Sequence, residues 1–445
     1  MKKSLVALVG VASHDESGGY RAEELLDAAE KRIKAEGFDV YRASRVVWTQ
    51  SDALVISSEL EDMKISSLVV LNITWVADSL LYLLLHKIHV PFALWAVPFT
   101  ETFALGCVQH MGATLKMVKF PFQPLYGDAD NPNLIKKLVR FLKASAAICE
   151  IRNMRVALMG PRQTWRVAGP QDMSLEEWDF SLKFGVTIIH FEMDELLDRV
   201  DKIDDSDAKI TLACLEKRIG NSSAGEERMI FAAKVYKALK QIIEENSLAG
   251  IAAECYPKFD GITNLSAAWL ADEGIVIETE GDISNTVLRA VLNSIDKEGT
   301  TFLGEAGSYN VNENYMFMSH GGSTAPTLSD ELKRVEVSAS GEMGTYVGTP
   351  IKAMKDVTIS NLTGSNGNYK MLIASGETLQ VSDEDYDKTG KRLASKVRFK
   401  NADIATAFEK LFKSGIDHHL VLREGDHTDI LATIADLMGI EKVII

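Results

Sequence analysis

Short apolar runs alternate with amphipathic stretches at helical spacing along the first two thirds of this chain, and that alternation restricts the fold more than any single motif. Leu5 to Gly10 reads as a buried strand, and Arg21 to Glu36 carries Leu25, Leu26, Ala29 and Ile33 on one helical face before Gly37 stops the helix. The strand signal returns at Ser67 to Ile73 and Pro91 to Ala96, each followed by helical sequence. A strand that feeds a helix can rejoin its sheet in parallel, so the expectation is a doubly wound, Rossmann-like α/β domain over residues 1–153. The period continues through Arg155 to Met159, Val186 to Phe191, the long amphipathic helix Glu227 to Asn246, Gly250 to Glu254 and Ile275 to Glu278. A second such domain is expected over residues 154–299.

After Thr300 the texture changes to short alternating segments rich in Gly, Ser and Thr, at Arg334 to Ser338, Asp356 to Ser360, Tyr369 to Ala374 and Lys396 to Phe399. These predict antiparallel strands and a barrel-like, mixed domain over residues 300–445, with Ile404 to Phe412 and Thr428 to Met438 as helices and Leu420 to Leu422 as a strand. The fold class is therefore α/β, with two doubly wound domains followed by a partly antiparallel, barrel-like C-terminal domain.

The formal net charge of -15 repels a phosphate backbone and an anionic membrane, so nucleic acid and lipid are poor partners. Cys107, Cys149, Cys214 and Cys255 are scattered without a CxxC pair, which fits a reducing cytoplasm and neither a disulfide framework nor a structural zinc site. The apolar run behind Lys2 and Lys3 is short and followed by a helix at βα distance, so it reads as a first strand rather than a signal peptide. Leu80 to Val97 is broken by His86, Lys87, His89 and Pro91 and supplies no membrane span.

The candidate site residues follow from where strands end. Glu280 lies just beyond the strand Ile275 to Glu278, and Asp282 or Ser284 can cap the helix that runs to Ile295. Glu254 and Tyr256 close the strand from Gly250, and Glu305 follows Thr301 to Leu303, so three strand ends share one edge if the sheet is parallel. With His320 and the pair His418–His419, these residues offer carboxylate and imidazole donors, which suit a borderline-hard divalent ion such as Mn²⁺, Co²⁺ or Mg²⁺. Adjacent histidines in extended chain point opposite ways, so one of the pair is expected to face the ion. Taken singly, each glutamate is an ordinary turn residue. Trp75 and Trp95, at ends of first-domain strands, can stack on a sugar face or pack in the core, and Arg162 reads as a surface arginine. The remaining histidines, His14, His86, His89, His110, His190 and His427, read as structural or exposed.

Glu254-Cys255-Tyr256-Pro257, Glu280-Gly281-Asp282, Gly304-Glu305, His320-Gly321-Gly322 with Ala325-Pro326, and Gly415-Ile416-Asp417-His418-His419 with Gly425-Asp426 together resemble the metal-dependent L-fucose and L-arabinose isomerases. The resemblance covers the second half of the chain by motif and the first half by α/β texture. It implies that Glu280 and Glu305 are catalytic carboxylates and metal ligands, and that His320 and His419 complete the ligand set. His418, Glu254, Tyr256 and Trp75 are then substrate-binding candidates, Trp75 from a neighbouring subunit. Which of His418 and His419 holds the metal stays open, and Thr279 stands where the family often has Cys.

The chemistry implied is aldose–ketose isomerisation through an enediol, with one carboxylate shuttling a proton between C2 and C1 and the other handling the hydroxyl proton. The alternatives are a metal-dependent epimerase or lyase on a related sugar, or a bilobed sugar-binding protein without catalysis. A homo-oligomer is expected, hexamers being usual in the family, with a small-molecule sugar as substrate and Mn²⁺ as first choice of cofactor.

Overall fold

A computed structural model describes residues 4–160, 172–173, 176–256, 258–296 and 299–445, and the Arg162 expectation lies outside these residues. The chain divides into two compact units. One holds the residues up to Glu150 together with Asp429–Ile440, and the other holds Ile151–Thr428 with Glu441–Ile445. Among the described residues, no helix is long and apolar enough to cross a membrane.

The first unit is built on β1 (Leu5–Val11), β2 (Asp39–Arg42), β3 (Ser67–Asn72), β4 (Phe92–Ala96) and β5 (Gln123–Tyr126), paired in parallel in the order β2-β1-β3-β4-β5. The central strands β3 and β4 are buried along their whole length, as a sheet covered on both faces requires. The edges are different. β2 is polar and half-exposed, and β5 contains Pro124, which an edge strand tolerates because its outer N–H row has no ladder to join. Trp95 is fully buried in β4, and its Nε1 donates to the Gly127 carbonyl at 2.8 Å, so it packs in the core and is not available to a ligand.

In the second unit, β6 (Arg155–Met159), β7 (Thr187–Phe191), β9 (Gly250–Ala253) and β10 (Val276–Glu278) form a parallel sheet in the order β10-β9-β6-β7. The short β8 (Asn221–Ser222) instead joins β13 (Glu336–Ser340) and β14 (Gly344–Gly348) in a separate small sheet. The helix Glu226–Asn246 buries Ala232, Ala233, Leu239 and Ile242 in the core of this unit. Fully burying a side chain the size of Leu239 or Ile242 contributes roughly 1.5–3 kcal/mol.

The remaining strands, β11 (Thr301–Asn310), β12 (Tyr315–Ser319), β15 (Met354–Ser365), β16 (Asn368–Leu379), β17 (Ser395–Phe399) and β18 (Leu420–Glu424), pair antiparallel around a closed ring, β15-β18-β11-β12-β17-β16, with β16 returning to β15. β19 (Glu441–Ile444) adds to β16 in parallel outside the ring. Asn366 and Gly367, both at positive φ (52° and 73°), make the two-residue turn between β15 and β16, the geometry that matches strand twist. The expected class, parallel α/β sheets followed by an antiparallel barrel, is the observed one. One detail changes: β11 belongs to the barrel rather than to a parallel sheet, and Glu305 lies within it, so three parallel strand ends do not share an edge.

Candidate metal centre

The site starts at the carboxyl end of β10. Glu278, its last residue, is 1% exposed, and its two carboxylate oxygens accept the backbone N–H of Glu280 at 2.8 Å and of Asp282 at 2.6 Å. Gly281 between them takes φ 80°, a conformation open to glycine without strain. Asp282 caps the helix Ile283–Ile295 through Asn285 N, and its Oδ2 also accepts from Asn285 Nδ2 and meets His419 Nδ1, the latter at 2.8 Å. Glu280 bridges in antiparallel fashion to Glu254, whose N–H donates to Met159 O at 2.7 Å.

His320 and His419 come from the barrel. His320 follows β12, and the turn behind it is held by Asn264 Nδ2 donating to Gly321 O at 2.5 Å and by Val347 N donating to Gly322 O at 2.9 Å. Gly322 sits at φ 94° with its missing Cβ position 2.4 Å from the Tyr346 ring, so only glycine fits there. His419 precedes β18; its N–H donates to Asp417 Oδ1 at 3.1 Å, and its carbonyl accepts from Asn361 Nδ2 at 2.7 Å. Asn361 also donates to Asp417.

These turns bring ligand atoms of Glu280, His320 and His419 within 4.8 Å of one another. Glu280 Oε1 is 3.9 Å from His320 Nε2, and its Oε2 is 3.7 Å from His419 Nε2. Among the described residues, neither ring nitrogen of the buried His320 has a hydrogen-bond partner, a costly state for a polar group shut away from water. The donor set therefore fits a divalent cation: a carboxylate and two imidazoles converge, with one histidine otherwise unsatisfied and the other oriented by a carboxylate on its far nitrogen, the usual arrangement behind a metal-bound histidine.

For Glu280 and His320 the electrostatics agree with this reading. Burial alone pushes the Glu280 carboxyl up, but the nearby His419 imidazole and the fields of His320 and His418 outweigh it and hold the group at about 2. Burial pushes His320 down to about 4, against the pull of Glu280, which leaves it neutral and able to donate a lone pair. Burial pushes Glu278 up to about 7, a rise opposed by His419 and reinforced by Asp282 and Glu280.

The other candidates lie as follows. Glu305 is opposite Ser319 in the β11–β12 ladder, its side chain is 53% exposed, and its Oε2 stands 4.0 Å from His418 Nε2, outside the converging trio. His418 is held elsewhere at its far side: its Nδ1 and backbone N–H meet Asp172 Oδ2 at 2.8 and 3.0 Å, while its ring lies beside that of His419, centroids 4.3 Å apart. Glu254 is buried, whereas Tyr256 is half-exposed. Trp75 belongs to the first unit, partly exposed, stacked on His110 with ring centroids 5.3 Å apart. Sequence reasoning missed Glu278, Asp172, Asn361 and Asp417, and it read Asp282 only as a helix cap. Alternating strand and turn patterns carry no sign of hydrogen bonds to distant loops, although an acidic residue inside the apolar strand Val276–Glu278 is itself a signal.

No protein-family model matches the chain. Curated relatives do. A sulfoquinovose isomerase of Priestia aryabhattai is 19% identical over 441 residues, spanning 92% of this chain and 96% of its own length. Another, from Clostridium sp. (strain MSTE9), is 22% identical over 84% of this chain and 85% of its own. An L-arabinose isomerase of Aeromonas hydrophila is 22% identical over 75% of this chain and 68% of its own. These relatives mark the chain as an aldose–ketose isomerase. Over most of its length the chain is similar to these sulfoquinovose and L-arabinose isomerases.

Proposed function

We propose that this isomerase is metal-dependent and interconverts an aldose and a ketose through an enediol. The single observation that carries the reading is the convergence of Glu280, His320 and His419, with His320 buried and without a hydrogen-bond partner among the described residues. Glu280, His320 and His419 would hold the cation, Mn²⁺ being preferred over Co²⁺ or Mg²⁺. A bound divalent ion supplies Lewis-acid polarisation of the sugar carbonyl and offsets negative charge that develops in the transition state.

The chain's own groups do the rest. Asp282 holds His419 Nδ1, so that Nε2 faces Glu280. Glu305 stands outside the trio and beside His418, and we assign it the transfer of a proton from C2 to C1. Glu280 then serves the hydroxyl side, where a proton leaves the C2 oxygen and one arrives at the C1 oxygen. His418, fixed by Asp172, together with Glu254 and Tyr256, meets substrate hydroxyls. Trp75 stacks on the sugar from a neighbouring protomer of a homo-oligomer in the cytoplasm. The substrate is a sugar of the size handled by the sulfoquinovose and L-arabinose isomerases.

The test is an NMR screen of aldoses and ketoses in D₂O, with EDTA-stripped protein beside Mn²⁺-reloaded protein. Metal-dependent ketose formation with deuterium at C1 or C2 is the expected result. Mn²⁺ bound with no exchange for any sugar overturns the enediol reading, and turnover that survives EDTA overturns the metal.

A further inference from the structure

Glu278 has no part in the proposed chemistry, yet it is an acidic side chain sealed inside a core. It is 1% exposed at the end of a three-residue strand whose other members, Val276 and Ile277, are apolar and buried. A carboxylate in that setting is costly unless hydrogen bonds and compensating charge hold it. Both are present. Its two oxygens each accept one backbone N–H, from Glu280 and from Asp282, and the buried guanidinium of Arg289 lies in the same interior, bonded to Thr301 Oγ1 at 3.1 Å.

Helix capping does not explain this arrangement. The helix Ile283–Ile295 is already capped by the Asp282 side chain, which accepts from Asn285 N at 3.0 Å. What the Glu278 carboxylate adds is a fixed path for the segment Glu280-Gly281-Asp282, with Gly281 at φ 80° turning both flanking amides onto one acceptor. That segment presents Glu280 to the two histidines and Asp282 to His419 Nδ1.

We propose that Glu278 is a positioning residue of the metal centre, whose carboxylate clamps the turn so that Glu280 and the Asp282–His419 pair keep their geometry together. The proposal rests on the reading of Glu280, His320 and His419 as cation ligands. Loss of such an outer partner lowers metal affinity by roughly 10- to 100-fold.

The test is calorimetric titration of Mn²⁺ into EDTA-stripped wild-type protein and Glu278→Gln. The variant keeps the size of the side chain but turns one acceptor oxygen into an N–H₂ that faces a backbone donor. Expected is a Kd raised about 10- to 100-fold, with the far-UV circular dichroism of the stripped protein unchanged and the visible spectrum of the Co²⁺-loaded form altered. An unchanged Kd and Co²⁺ spectrum in a folded Glu278→Gln protein overturns the proposal. If that variant does not fold, Gly281→Ala disturbs the same turn from the opposite side; weakened Mn²⁺ binding supports the clamp, and wild-type affinity overturns it. Wild-type protein that takes up no Mn²⁺ overturns the metal centre itself, an outcome visible before any variant is made.

Discussion

Asp282 and His419, 137 residues apart, are joined by a 2.8 Å contact between Oδ2 and Nδ1, and both side chains are buried. One comes from the turn after a parallel strand and the other from the barrel, so a single hydrogen bond registers two kinds of sheet at the candidate centre. Changing Asp282 to Asn keeps the helix cap in part but removes the charge that fixes the His419 tautomer. Expected is a drop of roughly 10- to 100-fold in Mn²⁺ affinity, read by calorimetry.

Glu280→Gln and Glu305→Gln are each expected to lower turnover by about 10²- to 10⁴-fold, the usual contribution of a positioned acid–base group. Circular dichroism checks that the fold is intact. Near-normal activity in either variant removes that residue from proton transfer.

His320→Ala is expected to abolish stoichiometric metal binding, measured by elemental analysis of Mn²⁺-reloaded protein. The same change removes two buried ring nitrogens that have no hydrogen-bond partner among the described residues, so the metal-free protein loses less stability than a buried side chain of that size ordinarily contributes. Thermal melts of the stripped proteins check this second part. The metal-loaded wild type is expected to melt higher than the stripped one, because the ion binds only the folded state.

His427 gives a pH prediction at a distance in sequence from the trio. Burial pushes its pKa below the usual value, Arg423 adds to the lowering, and the Glu424 carbonyl together with Asp296 and Asp426 opposes it. A depressed histidine stays neutral in the fold while the unfolded chain takes up a proton, so stability from this residue is present above about pH 6.5 and is lost as pH falls below it. The free-energy difference between wild type and His427→Gln, from urea melts, is therefore expected to shrink between pH 8 and pH 5. A difference independent of pH across that range refutes the assignment.

Much of the scaffold was legible because apolar periodicity reports burial directly. Arg155–Met159, Ile283–Ile295 and Thr428–Met438 end at the residues that the pattern marks, since each is bounded by a charge, a cap or a glycine. Asp39–Arg42 and Gln123–Tyr126 were not legible: edge strands half-exposed to solvent lack the apolar alternation that betrays a central strand. Gly304 misled in a different way. It reads as a turn after Leu303, but its missing Cβ position is 2.5 Å from the Phe302 ring and 2.9 Å from Ser319 O, so it permits close packing inside a strand that runs on to Asn310. That is why Glu305 sits within the ladder. His320 and His419 were visible as residue types, whereas the carboxylates and amides that aim them, Glu278, Asp282, Asn361 and Asp417, are recognisable only once the turns are folded together.

The helix Thr428–Met438 lies almost wholly within the stretch Asp429–Ile440 that packs with the residues before Glu150, where Asp429 pairs with Arg140 at 2.8 Å. A chain emerging from the ribosome makes the sheet of that first unit early, long before it makes this helix. Domains ordinarily settle in the order of synthesis. Here the earliest unit waits for a helix far downstream in the chain, and during that interval it leaves uncovered the apolar surface that Leu431, Ile434 and Ala435 later bury. Nascent chains stalled just short of residue 428 should therefore be the species that chaperones hold longest.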